Sequence, residues 1–174
     1  RLVKGAYWDS EIKRGQENGI DSYPVFTRKP ATDVSYIACV KRLFAVADVL
    51  YPQFATHNAH TIAVVEELAG GRAFEFQRLH GMGEALYDKI VDADHRACRV
   101  YAPVGSHADL LPYLVRRLLE NGANTSFVNR LTDAAVSVSD IVADPVAKMA
   151  GLTKKPHPRI PLPIDVLGDG RVRG

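Results

Sequence analysis

Three segments that have the pattern of buried strands recur at a nearly constant interval along the chain. They are Leu50–Ala55, Phe74–Leu79 and Cys98–Val104, and they begin about 24 residues apart, an interval that fits one strand, one helix and two short loops. Each segment is followed by the apolar spacing of a helix. This is the repeat of a parallel sheet with helical crossovers, so the spacing predicts an α/β fold.

A fourth unit of the same kind precedes these three. Arg1–Ala6 is strand-like, and helices are predicted over Asp9–Arg14 and from an N-terminal cap at Asp33 through Phe44. The remaining predicted helices are Ala59–Leu68, ended by Gly70 and Gly71, then Glu84–Val91, Ala108–Glu120 and a short helix over Ser139–Met149.

Four consecutive β/α units make one half of a (β/α)8 TIM-type barrel. We predict that residues 1–153 are the C-terminal half of such a barrel, roughly its last four units, and that residues 154–174 are a proline-rich exit linker towards a following domain. A doubly wound open sheet is the competing architecture, but no glycine-rich phosphate-binding sequence follows a strand. The chain opens inside a strand and without Met, so we expect it to be a piece of a longer polypeptide.

Composition excludes several classes of function. The 174 residues are 47% hydrophobic, enough for a substantial core, and the net charge of +2 comes from dispersed Lys and Arg, which argues against nucleic-acid binding through this segment. No apolar run reaches the ~20 residues that a bilayer-spanning helix needs. Cys39 and Cys98 have neither metal nor redox spacing, and we predict two buried thiols in a reducing, cytoplasmic compartment.

Two adjacent arginines, Arg116 and Arg117, interrupt an otherwise apolar helix. Paired guanidiniums suit the binding of a small anion such as a substrate carboxylate. Glu120 lies three and four residues further on and is expected to steer one of them. A solvated charged face is the alternative interpretation of the same pair.

Polar residues cluster where the predicted strands end, which is where β/α barrels carry their chemistry. A metal site built from His57, His60 and His80 is one interpretation, but no carboxylate lies at the end of the third or fourth strand to complete it. His57 and His60 have the alternative role of capping the following helix. The polar strand-end residues are Arg1, Lys4, Tyr7, Trp8, Gln53, Thr56, His57, Asn58, His60, Gln77, His80 and Tyr101.

Five long motifs closely resemble the proline dehydrogenase domain of the bacterial bifunctional proline utilization A family. The resemblance implies FAD-dependent oxidation of L-proline to Δ1-pyrroline-5-carboxylate by hydride transfer to the flavin, with electrons passed to a membrane quinone. This is the first step of proline catabolism to glutamate. It also implies that an aldehyde dehydrogenase domain using NAD follows outside the chain. The motifs are Arg1–Trp8, Tyr51–Asn58, Phe76–Gly83, Tyr101–Gly105 and Tyr113–Gly122.

The same resemblance implies roles for individual residues. Arg1 would be catalytic, lying against the flavin near its reactive nitrogen, and Arg116 and Arg117 would bind the proline carboxylate. Tyr7, Leu79 and Tyr101 would surround the proline ring. The implied cofactor-binding residues are Arg1, Val3, Lys4, Gly5, Ala6, Trp8, Thr56, His57, Asn58, Gln77 and Glu120.

The resemblance further implies a cytoplasmic homo-oligomer that contacts the membrane peripherally during turnover. A metal-dependent barrel hydrolase using His57, His60 and His80 remains the alternative hypothesis.

Overall fold

The computed structural model of the chain describes residues 1–5, 7–122, 130, 133 and 135–166. The chain divides into two compact units. One, which we call the sheet unit, consists of Arg1–Lys4 and Ser35–Ala143. The other, which we call the tail unit, consists of Gly5–Val34 and Asp144–Gly174.

The sheet unit contains four parallel strands in the order in which they occur along the chain. They are β1 (Leu2–Val3), β2 (Gln53–Ala55), β3 (Glu75–Leu79) and β4 (Cys98–Tyr101). The prediction of an α/β fold with a parallel sheet is confirmed. Sequential order without a reversal is consistent with half of a β/α barrel, since a doubly wound sheet reverses its strand order at a switch point.

The helices follow the predicted order with some shifted boundaries. They are α1 (Trp8–Asn18), α2 (Lys29–Phe44), α3 (Ala59–Ala69), α4 (Glu84–Asp94), α5 (His107–Gly122), α6 (Val138–Ile141) and α7 (Pro145–Ala150), with a 3₁₀ turn at Pro163–Asp165.

Two predicted helix boundaries are wrong for identifiable reasons. Asp33 does not cap α2, because the helix begins at Lys29 and Pro30 occupies its first turn, where a missing N–H costs no hydrogen bond. Asp33 instead forms an i,i+4 ion pair with Lys29 at 2.6 Å. The single helix predicted over 139–149 is two helices, because Asp144 caps a new helix that begins at Pro145.

One face of the sheet packs against helices. Phe54 and Phe76 are paired in register on β2 and β3, and neither has any exposed surface. Phe74 packs edge-on against Phe76 at 5.1 Å between ring centroids, and Phe44 of α2 packs against Phe54 at 5.2 Å. Helices α3 and α4 cover the same face. Their contributions to this core are Ile62, Val65, Ala69, Tyr87 and Ile90.

The opposite face of the sheet is polar. Glu75, although only 7% exposed, accepts hydrogen bonds from Gln53 at 2.5 Å and from Arg99 at 2.6 and 3.1 Å. The bonds from Arg99 are the main cause holding the pKa of the Glu75 carboxyl below its usual value, against the opposing effect of burial. Gln77 lies on this same face and is also buried. We call this the inner face.

In the tail unit, residues predicted as an exit linker contact the loop before α2. Tyr23 donates its hydroxyl to the Pro161 carbonyl at 2.9 Å, and the His157 N–H donates to Thr27 Oγ1 at 2.9 Å. Pro163 is fully buried. The compact tail unit therefore includes part of the predicted linker, and the domain boundary at residue 153 stays a prediction.

The cysteine prediction needs a correction. Cys39 is exposed, because it lies on the solvent side of α2, and Cys98 is half-buried; both are free thiols. Within the described part of the chain, no helix combines the length and apolarity that crossing a membrane requires.

Candidate active site

The carboxyl ends of β3 and β4 bring two predicted ring-contact residues side by side. Leu79 pairs in register with Tyr101, and the His80 N–H donates to the Tyr101 carbonyl at 2.8 Å. Leu79 and Tyr101 are each three residues from the register pair Phe76 and Cys98, whose side chains face the helices, so both side chains lie on the inner face. An apolar side chain and an aromatic ring therefore flank each other where these strands end.

Helix α5 has one half-buried polar face. Four residues with polar side chains occupy positions spaced by three and four, which places them on one face, and these four are half-buried. Five large apolar residues cover the opposite face and are exposed. The half-buried face consists of Tyr113, Arg116, Arg117 and Glu120, and the exposed face of Leu111, Leu114, Val115, Leu118 and Leu119.

Aromatic contacts place the half-buried face of α5 next to the end of β4. The rings of Tyr101 and Tyr113 are 6.3 Å apart, and the Arg117 guanidinium lies over the Tyr113 ring at 5.2 Å. Sequence reasoning did not assign Tyr113 a role. Its position four residues before Arg117, on the same helix face, was the signal that could have identified it.

Arg117 and Glu120 form the charged part of this face. Arg117 NH1 lies 3.1 Å from Glu120 Oε2, and their side chains are 21% and 34% exposed. Burial raises the pKa of the Glu120 carboxyl, and the charge of Arg117 opposes that rise. The Arg117 Nε is buried and has no hydrogen-bond partner within the described residues, so this guanidinium retains donor capacity for a ligand.

His57 lies at the end of β2 and contacts the end of β3. Its Nε2 accepts a hydrogen bond from the Leu79 N–H at 3.1 Å. Burial, followed by the positive charges of Arg117 and Arg78, lowers the pKa of His57. The influence of Arg117 on His57 is further evidence that α5 lies near the strand ends.

The capping alternative for the histidines is wrong for His57, because Asn58 is the N-terminal cap of α3 and accepts from the Thr61 N–H at 3.2 Å. The metal hypothesis also loses support. The Nε2 lone pair of His57 is already engaged by a backbone N–H, and His80 is exposed. In the described residues, no group of three histidine, cysteine or acidic side chains is arranged to hold a metal ion.

Several residues predicted to bind the cofactor have local structural partners. Lys4 turns to the helix side of the sheet, where its Nζ donates to Thr61 Oγ1 at 3.1 Å and lies 4.9 Å from the Tyr36 ring centre. Thr56 Oγ1 accepts from the Asn58 N–H at 3.1 Å. The Lys4 ammonium and the Thr56 hydroxyl therefore both have partners within the protein. A cofactor contact at Lys4 would involve its backbone.

The other predicted residues are distributed between the two units. Arg1 precedes β1 and is exposed, and Val3 is exposed in β1. Gly5, Tyr7 and Trp8 belong to the tail unit, where the Trp8 indole N–H donates to the Phe26 carbonyl at 2.9 Å. Ala6 lies outside the described residues.

The inner face has an unsatisfied acceptor that fits a flavin. Gln77 is 5% exposed, and its Oε1 accepts no hydrogen bond from any residue that the structure describes. Buried amide oxygens are normally paired, so this atom is suited to a ligand N–H, which an isoalloxazine ring provides. The residues present therefore fit FAD.

The parallel β/α sheet carries a cationic, aromatic cluster at its strand ends, where β/α domains commonly have their ligand sites. A sequence profile of proline dehydrogenase matches residues 1–130. The chain therefore belongs to the proline dehydrogenase family.

Known relatives support this assignment. The chain is 59% identical to the bifunctional protein PutA of Escherichia coli K12 over 98% of the chain, and spans about 14% of that relative's length. It superimposes on a variant of proline utilization A from Bradyrhizobium japonicum with a TM-score of 0.89 and 58% identity, covering 97% of the chain and 18% of that structure. Proline utilization A from Bdellovibrio bacteriovorus, inactivated by N-propargylglycine, superimposes with a TM-score of 0.79 and 38% identity, covering 85% of the chain and 16% of that structure.

Proposed function

We propose that this chain is part of an FAD-dependent proline dehydrogenase that oxidises L-proline to Δ1-pyrroline-5-carboxylate. The observation that supports this most is the half-buried position of Arg116 and Arg117 on the face of α5 that carries Tyr113, whose ring lies 6.3 Å from that of Tyr101. The arrangement is explained if the arginines serve a buried anionic ligand.

The arginines bind and orient the substrate carboxylate. Two cationic side chains on one helix face fix an anion at two points, which restricts the rotation of the amino acid before reaction. Glu120, 3.1 Å from Arg117, holds one guanidinium in place. This fixation directs the carbon next to the substrate nitrogen towards the cofactor.

The aromatic and apolar side chains receive the substrate ring. Leu79 and Tyr101 flank each other on the inner face, and Tyr113 extends this surface to Arg117. Tyr7 is proposed as a further contact of the substrate ring. Exclusion of water by these groups strengthens the electrostatic contact with the carboxylate.

The proposed cofactor site lies on the inner face at the strand ends. FAD, when bound, accepts the hydride from proline and passes the electrons to a membrane quinone. Gln77 offers it a buried acceptor, and Arg1 offers a cation that favours negative charge on the ring. The other proposed contacts are Val3, Lys4, Gly5, Ala6, Trp8, Thr56, His57, Asn58 and Glu120.

The rest of the proposal concerns the protein to which the chain belongs. We propose a bifunctional enzyme in which residues 154–174 lead to an NAD-dependent aldehyde dehydrogenase domain. We further propose a cytoplasmic homo-oligomer that contacts the membrane peripherally, where it delivers electrons.

The visible absorption spectrum of the purified full-length protein tests this proposal. Flavin bands whose chromophore passes from the protein into the supernatant on acid denaturation, together with conversion of L-proline to a cyclic imine, are expected. A colourless protein with stoichiometric bound metal would contradict the proposal and restore the hydrolase hypothesis.

A further inference from the structure

The His57 imidazole is held between two elements of the sheet unit, β3 and α4. Its Nε2 accepts from the Leu79 N–H at 3.1 Å, at the end of β3. At the start of α4, a Cβ on Gly83 would lie 3.0 Å from His57 Cδ2, so the absence of a side chain there makes room for the imidazole. The backbone before His57 is fixed because Tyr87 donates its hydroxyl to the Thr56 carbonyl at 2.7 Å.

This geometry determines the protonation state of His57. A backbone N–H always donates, so Nε2 must carry a lone pair and the single ring proton lies on Nδ1. A second proton on Nε2 would oppose the Leu79 N–H and break the contact. The contact therefore requires neutral imidazole.

The residue at the other end of the hydrogen bond is the last residue of β3. Leu79 places its side chain on the inner face beside Tyr101. Its own backbone N–H donates to a side chain from the neighbouring strand end, so His57 holds the Leu79 backbone on the β2 side while the register with Tyr101 holds it on the β4 side.

We propose that His57 is a positioning residue: its neutral imidazole holds Leu79 where the leucine side chain contacts the saturated ring of the substrate, and protonation of Nε2 releases it. This inference rests on the proposed function, because it takes a cyclic amino acid as the ligand. It assigns His57 a role in recognising the ring, separate from recognition of the carboxylate by the arginines.

Charged neighbours set the pH range of the contact. Arg78 on β3 and Arg117 on α5 both act on the imidazole, and Arg78 is itself paired with Glu84 of α4 at 3.5 Å. The Tyr87 hydroxyl of α4 donates its proton to the Thr56 carbonyl. Burial first and then these two cations keep the pKa of His57 below its ordinary value of 6.5, so the contact persists at neutral pH and weakens in acid.

Two substitutions separate the hydrogen bond from the bulk of the side chain. In His57→Gln, the amide oxygen reaches the position of Nε2, accepts from the Leu79 N–H and does not titrate. In His57→Asn, the amide lies at the position of Nδ1 and falls short of that N–H. The two variants are otherwise matched in polarity.

The measurement compares a ring ligand with an acyclic ligand in the full-length holoenzyme. Cyclopentanecarboxylate and propanoate are titrated as inhibitors of proline oxidation and by the change in flavin absorbance, from pH 5 to pH 8. The affinity for cyclopentanecarboxylate divided by that for propanoate measures recognition of the ring, because both ligands have the same carboxylate contact. Loss of one neutral hydrogen bond should lower this ratio about fivefold in His57→Asn. The ratio should fall in acid for the wild type and stay constant with pH in His57→Gln.

Each outcome has a defined meaning. An equal loss of both ligands in His57→Asn, or a ratio at pH 8 that is as low in His57→Gln as in His57→Asn, would overturn the positioning role and leave His57 as a structural residue. If His57→Asn loses its flavin, the test rests on how the affinity ratio depends on pH in the wild type and in His57→Gln. Absence of proline oxidation by the wild-type holoenzyme would refute the proposed function itself, and this inference with it.

Discussion

Arg117→Met is the substitution that the structure makes most informative. Arg117 is 21% exposed, lies over the Tyr113 ring and has a buried Nε without a partner among the described residues. Methionine keeps much of the side-chain length but removes the charge and all five donors. A hydrogen bond to a charged group contributes roughly 1.5–3 kcal/mol, so loss of the carboxylate contact should weaken proline binding about 10- to 150-fold.

The assay separates binding from turnover. The dissociation constant of cyclopentanecarboxylate, measured by flavin absorbance in the full-length protein, should rise by the same factor as the KM for proline. Arg117→Lys keeps the charge but loses the planar fork, so it should give an intermediate value. FAD content should remain at the wild-type level in both variants.

Arg96→Met is the matched control. Arg96 pairs with Glu66 at 2.7 Å and lies over the Phe74 ring at 5.0 Å, on the helix side of the sheet. It should leave ligand affinity unchanged and lower stability by up to about 1 kcal/mol. The assignment of the anion site to α5 would be refuted if Arg117→Met kept its ligand affinity within twofold of the wild type. It would also be refuted if Arg96→Met lost as much ligand affinity as Arg117→Met.

Three further predictions concern stability, measured as the free energy of unfolding in urea. Gly81→Ala and Gly83→Ala both place alanine at a positive φ, which should lower the free energy of unfolding by about 1–2 kcal/mol. Gly83→Ala should lower it further than Gly81→Ala does, because only its Cβ meets another residue closely, His57 at 3.0 Å. Equal losses in the two variants would contradict this. Phe76→Ala should cost about 3–5 kcal/mol, since Phe76 is fully buried, and a loss below 1 kcal/mol would contradict the core described above. Burial raises the pKa of Glu120, so wild-type stability should fall as pH rises from about 4.5 through that raised pKa, and Glu120→Gln should remove this fall; an unchanged pH profile would count against the burial of Glu120.

Much of the sheet could be predicted because its signal is local. The strands carry fully buried aromatic residues, Phe54 and Phe76, and Gly70, in a left-handed conformation, ends α3 where expected. The errors fell where one local signal competed with another. Asp33 has the chemistry of a cap, but Pro30 at the start of α2 allowed the helix to begin a turn earlier.

The candidate site was only partly predictable. Arg116 and Arg117 stood out because charge interrupts an apolar helix, and spacing connected them to Glu120. Which face of α5 is buried could not be read from spacing, because both an apolar and a polar stripe are present, and the apolar stripe is the ordinary choice for burial. The His57–Leu79 hydrogen bond joins residues 22 apart through the parallel register, which no local pattern specifies.

Anaerobic titration of the full-length protein with L-proline and with L-prolinol, which lacks the carboxylate, isolates the contact between the arginines and the carboxylate. L-proline should bleach the flavin absorbance stoichiometrically, whereas L-prolinol should need a concentration at least about 100-fold higher, because it cannot form the charge-assisted bonds to the arginines. Equal bleaching by the two compounds, or no bleaching by L-proline, would contradict this prediction.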